Sequence, residues 1–129
     1  MIVLDENLPD HQRQLLRSWR VPVRQVGLDI GKKGMGDTTV ISLLHRHGSV
    51  TFFTRDTDYF DKRLCHLRYC LVCLGVERSE AASFVRRVLR HPAFCTWARR
   101  KGRVLFVTHT GIRWWRLGST EEEFARWMT

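Results

Sequence analysis

A chain of 129 residues with 43% hydrophobic side chains is the length of one ordinary domain and can bury a core of its own. No apolar run approaches the ~20 residues of a bilayer span, and the start lacks the charged, apolar and small-residue order of a signal peptide, so a soluble, cytoplasmic protein with no membrane partner is expected. The net charge of +9 is uneven: residues 1–61 carry eight basic and eight acidic side chains, whereas Lys62 to Arg116 holds thirteen Lys or Arg against only Glu77 and Glu80. Such a cationic half suits a polyanion, although a solvated basic face that only aids solubility has the same composition.

In chain order, Met1 to Leu4 is an apolar run without alternation, which predicts a strand buried on both faces. Pro9 and Asp10 open a helix to about Trp19, with Leu15, Leu16 and Trp19 on its apolar face, and a short strand follows over Pro22 to Val26. Gly27 to Gly36, with four glycines and two lysines, reads as a mobile loop. Asp37 begins a helix to about His47 in which Val40, Ile41, Leu43 and Leu44 recur at helical spacing, and Gly48 stops it. Val50 to Phe53 is a second buried strand.

A basic turn or helix over Lys62 to Arg68 leads into a strand from Tyr69 to Val76. Ser79 and Glu80 start a helix that buries Phe84, Val85, Val88 and Leu89, and Pro92 separates it from another ending near Gly102. Arg103 to Thr108 and Gly111 to Leu117 form a hairpin, after which Ser119 or Thr120 caps a short carboxyl-terminal helix. The alternation predicts one α/β domain over residues 1–129: a central, mostly parallel sheet of four to five strands with right-handed crossovers and a C-terminal hairpin.

In an open α/β sheet ligands bind beyond the carboxyl ends of the strands, so Asp5 and Asp56 are delivered to one rim. Asp37, at the start of the intervening helix, and Asp58 complete a candidate constellation. Each has a structural explanation alone: Asp5 or Asp37 as a helix cap, Asp56 and Asp58 in Asx-turns. Together they repel, and a cation is the natural neutraliser. Oxygen ligands without histidine or cysteine suit Mg²⁺ or Mn²⁺, which activates a water against a phosphodiester. Around them, Glu6 points to the opposite side from Asp5, Asn7 shares Asp5's side, and Thr54 and Arg55 flank the second cluster, with Arg55 placed to neutralise Asp56 or to grip a phosphate.

Other signals carry less. Gly31 to Thr38 imitates a phosphate loop, but Asp37 stands where that motif needs lysine; Lys32 and Lys33 are left either to reach RNA phosphates or simply to stand on an exposed, flexible loop. Further phosphate contacts are expected from Lys62, Arg63, Arg68, Arg86, Arg87 and Arg90. Cys70 and Cys73 have zinc-ligand spacing but lie in a strand where they face opposite ways, so reduced, structural thiols are expected. His45 and His47 do not share a helix face, His109 sits at a hairpin tip, and Trp114 and Trp115 face opposite sides of their strand. Trp127 and Phe124 dock the last helix, or anchor a homodimer or a partner.

Asp5-Glu6-Asn7-Leu8-Pro9, the Gly36-Asp37 helix start with Ile41 behind it, and Thr54-Arg55-Asp56-Thr57-Asp58 followed by an aromatic resemble the compact PIN-like proteins, small relatives of the PIN-domain ribonucleases and VapC-type toxins. The resemblance implies a three-layer α/β/α fold and a Mg²⁺- or Mn²⁺-dependent endoribonuclease. Asp5, Asp37, Asp56 and Asp58 would be both its catalytic residues and its metal ligands. Tyr59 and Phe60 follow Asp58 where a single Phe is expected, so Asp61 is a candidate either as a substitute for Asp58 or as an additional outer ligand. The resemblance also implies a small antitoxin partner, as in a toxin-antitoxin pair. The rival reading is a catalytically silent PIN-like module that binds RNA or protein and uses the acids as caps; a DNA-directed protein is a third.

Overall fold

A computed structural model describes residues 1–127. Its strands are β1 (Ile2–Leu4), β2 (Val23–Gln25), β3 (Val50–Thr54), β4 (Tyr69–Leu74), β5 (Arg103–Val107), β6 (Gly111–Arg116) and β7 (Glu123–Arg126). Its helices are α1 (Asp10–Ser18), α2 (Asp37–His47), α3 (Ala81–Arg90) and the single turn α4 (Trp97–Arg100). All seven strands form one mixed sheet in the order β2-β1-β3-β4-β5-β6-β7. The first five are parallel, and β6 and β7 are added antiparallel.

The buried strands alternate their side chains between two apolar clusters, because successive residues of a strand face opposite sides. Leu4, Phe53, Val72 and Leu105 join Leu16 of α1 and Val85 and Val88 of α3 on one face. Val3, Phe52, Leu71 and Val104 join Val40, Leu43 and Leu44 of α2 on the other. Strands covered on both faces explain the unbroken apolar runs, every residue of β3 and β4 being buried. Phe52 and Phe53 are completely buried, and truncating either to alanine is expected to cost about 3–5 kcal/mol. Cys70 and Cys73 fall in opposite clusters and cannot share a ligand; all four cysteines are free, and burial pushes the Cys70 thiol up to about 12.

The expected sheet of four to five strands is too small, because the hairpin joins the parallel sheet and the tail extends it. The expected carboxyl-terminal helix is instead β7. β6 offers an edge whose backbone groups would otherwise go unpaired, and Glu123–Arg126 satisfies them by pairing antiparallel along it. Ion pairs across that edge, Arg113–Glu122 at 3.3 Å and Arg116–Glu123 at 2.8 Å, favour the strand. Gly111 permits it, since a Cβ there would collide with the Ala125 carbonyl. Trp127 closes the tail by donating from Nε1 to the Thr108 carbonyl at 2.6 Å.

The link expected over Lys62 to Arg68 contains one 3-10 turn, Lys62–Leu64. Arg68 leaves it to donate to the carbonyls of His45 and Arg46 at the end of α2. Gly48, at φ +69°, makes room there: a Cβ would lie 2.6 Å from the Arg68 guanidinium. No helix among the described residues is long and apolar enough to cross a membrane.

Candidate metal centre

Parallel β1 and β3 end side by side, with Leu4 opposite Phe53, so the residues that follow emerge on one rim. The Asp5 amide continues the ladder to the Phe53 carbonyl at 2.9 Å. Thr54 Oγ1 then donates to Asp5 Oδ2 at 2.6 Å and accepts the Asp56 amide at 3.0 Å. One buried hydroxyl thus ties the two acidic strand ends together. α2 begins at the same rim, and the Tyr59 hydroxyl donates to Asp37 Oδ1 at 3.1 Å.

Asp37, Asp56 and Asp58 each present a carboxylate oxygen within 4.8 Å of the others. Asp5 stands beside this triplet, sharing with Asp56 the wall of a 300 Å³ cleft also lined by Asn7, Leu8 and Arg55. Burial pushes the Asp5 carboxyl above the usual range; the Thr54 bond opposes the shift and the charges of Glu6 and Asp56 add to it. Burial likewise raises the Tyr59 phenol, with the negative charges of Asp37, Asp5 and Asp56 behind it, so Tyr59 remains a neutral donor at the centre of the acids.

The capping explanations separate the four acids. The residue capping α1 is Pro9 and the one capping α2 is Gly36, neither with a side-chain bond, so Asp5 and Asp37 cap nothing. Asp56 does cap a short 3-10 turn, Thr57–Tyr59, by accepting the Asp58 amide at 2.9 Å. Asp61 caps the next turn and pairs with Arg63 at 2.8 Å, which holds its carboxyl below the usual range and removes it from the centre.

Among the surrounding residues, Glu6 turns away as expected and accepts the Gly34 amide at 2.9 Å, tethering the glycine-rich loop beside the rim and with it the exposed Lys32 and Lys33. Arg55 does not pair with Asp56: its Nε donates to the Val76 carbonyl at 2.9 Å, leaving its terminal nitrogens without a protein partner among the described residues. The other basic candidates are not gathered here. Lys62 lies over the Trp115 ring, Arg63 is paired with Asp61, and Arg68 braces the far end of α2. Arg86 stacks on Trp19 at 3.6 Å, Arg87 on Phe84 and Trp127, and Arg90 lines a separate 420 Å³ pocket with them. His109 is engaged by Glu80 at 2.8 Å.

Two residues that the sequence did not single out complete the site. Gln25, buried on β2, donates from Nε2 to the carbonyls of Asp5, Glu6 and Leu8 and braces the first acidic turn. Gln25 alternates with the exposed Arg24 and so falls on the buried side of β2 with Val23, and a glutamine at that register was the available signal. Tyr59 was visible only as the aromatic after Asp58, and its bond to Asp37 required the fold. A scan of protein-family models, a search of curated proteins and a search of solved structures each find no match to this chain.

Proposed function

We propose that this protein is a metal-dependent phosphodiesterase that cleaves RNA, on the PIN-like pattern that its acidic motifs resemble. The observation that carries the reading is the convergence of Asp37, Asp56 and Asp58 to within 4.8 Å, with Asp5 on the adjoining wall. The donor set fits a hard cation: all its atoms are carboxylate oxygens, and the exposed side chains of Asp37 and Asp58 are free to rotate toward one. When bound, Mg²⁺ or Mn²⁺ supplies a Lewis acid that acidifies water and stabilises charge on the scissile phosphate.

The chain's own groups would do the rest. Asp37, Asp56 and Asp58 hold the cation. Asp5, kept in place by Thr54 and with its proton affinity raised by burial, takes the proton of the attacking water. Arg55 places its free guanidinium nitrogens against a phosphate oxygen, and Lys32 and Lys33 extend the positive surface along the rim. Cleavage of single-stranded RNA, duplex RNA and DNA at matched salt, with and without Mg²⁺ or Mn²⁺, tests the reading. Metal-dependent RNA cleavage that Asp56→Asn and Asp5→Asn both abolish is expected; undiminished cleavage by both variants sinks it.

The capping role of Asp56 favours the second reading, an RNA-binding module without turnover. Its mark is RNA binding with no metal-dependent rise in melting temperature.

A further inference from the structure

The end of the sheet opposite the acidic rim carries an unassigned site. A 670 Å³ cleft opens where β1 and β2 begin, lined by Ile2, Val21, Pro22 and Val23 and by four arginines, Arg17, Arg20, Arg24 and Arg100. No acidic side chain lines it, and none of the four arginines has a carboxylate partner among the described residues, although Arg13, Arg63, Arg113 and Arg116 all do.

Arg100 makes the arrangement more than a basic surface. It is only 9% exposed, at the end of α4, and two of its nitrogens are committed: Nε to Thr51 Oγ1 at 2.9 Å and one terminal nitrogen to the Phe94 carbonyl at 2.8 Å. These bonds fix the guanidinium plane where it meets the cleft. Both partners are neutral, so a buried positive charge is solvated by dipoles alone, and burial pulls its pKa down. An unpaired buried charge is costly to a fold, and a bound anion relieves that cost. Four guanidinium groups are far more charge than one carboxylate requires, and their planar donors match phosphate oxygens. The apolar wall of Ile2, Val21, Pro22 and Val23 suits a ring rather than a bare ion.

We propose that this cleft binds a free nucleotide, with Arg100 and the three exposed arginines holding its phosphates and the apolar wall receiving the base. The site lies at the opposite ends of the strands from the carboxylates, so it stands whether or not the rim is a nuclease. Calorimetric titration of the full chain in chelator, at fixed ionic strength, with ADP, pyrophosphate, adenosine and citrate tests it. ADP is expected to bind saturably and more tightly than pyrophosphate, with adenosine and citrate not binding. The exposed pair Arg17→Gln and Arg24→Gln, combined, should weaken ADP by roughly tenfold or more while Asp56→Asn leaves it unchanged. Arg100→Lys, which keeps the charge and loses the fork, should weaken it too. Absence of ADP binding, pyrophosphate or citrate binding as tightly as ADP, or indifference to the double variant overturns the proposal. So does displacement of ADP by a 5′-hydroxyl trinucleotide at comparable concentration, which would make the cleft part of an RNA path.

Discussion

Thr54 Oγ1 donates to Asp5 Oδ2 at 2.6 Å while accepting the Asp56 amide at 3.0 Å, so a single threonine hydroxyl sets the spacing of the two acidic strand ends. Thr54→Val keeps the shape and removes both bonds. It leaves a half-buried carboxylate and an amide short of partners, and should cost about 1–3 kcal/mol in chemical denaturation. The Asp5 carboxyl should titrate higher still, as read by NMR. A variant as stable as the parent, with Asp5 unmoved, would show that the hydroxyl does not couple the strands.

Asp5 itself has a signed dependence on pH. Its folded-state pKa is raised, so the native protein holds this proton more tightly than the unfolded chain. Its contribution to stability falls as pH rises from the unfolded value through the folded one, and above both it is a net cost. In chelator, Asp5→Asn should therefore melt higher than the parent at neutral pH, and the gain should shrink toward zero as pH drops below the ordinary carboxylate range. A gain that grows in acid contradicts the burial of this charge.

Metal binding is measurable without turnover. Mn²⁺ at about 100 times its dissociation constant should stabilise the parent by about 2.7 kcal/mol, and Asp56→Asn or Asp37→Asn should lose most of that shift. Tyr59→Phe frees Asp37 Oδ1 of its hydrogen bond and should alter Mn²⁺ affinity while leaving the fold intact. Equal Mn²⁺ shifts in parent and Asp→Asn variants would place the cation elsewhere.

The basic residues separate by how they are engaged. Arg55→Gln should weaken RNA binding and lower the salt slope by about 1, whereas Arg63→Gln should change neither, because Arg63 already faces Asp61. The reverse ranking in filter-binding titrations would move the RNA path onto the face that follows Lys62.

Gln25 supports the centre from behind. Gln25→Leu removes the two N–H donors that the Asp5, Glu6 and Leu8 carbonyls share, Glu6 at the longest distance of 3.4 Å, and should destabilise by about 2–3 kcal/mol. Its effect on Mn²⁺ affinity should follow from displacement of Asp5. A neutral substitution would mean that the first acidic turn holds itself.

Most of the fold was legible because strand and helix periods differ. The apolar runs at Ile2–Leu4, Val50–Thr54 and Tyr69–Leu74 announce strands buried on both faces, and Val40, Leu43 and Leu44 announce the helix between two of them. The tail was not legible, because whether Glu123–Arg126 coils or pairs depends on a free edge at β6 that no local pattern encodes. What engages each basic side chain was illegible for a related reason. Sequence counts charges, but Arg63, Arg68 and Arg86 are occupied by a carboxylate, two carbonyls and an indole ring.

Hydrophobic period and chain order are local information, and they suffice to put carboxylates at the ends of two buried strands and at the start of the helix between them. Long-range packing decided which of those carboxylates meet. Asp37, Asp56 and Asp58 converge, Asp5 adjoins them through Thr54, and Asp61 is taken by Arg63. It also decided that four arginines from α1, its exit, β2 and α4 share one cleft at the other end. Both outcomes depend on strand register and side-chain reach, which long-range packing fixes and residue order does not express.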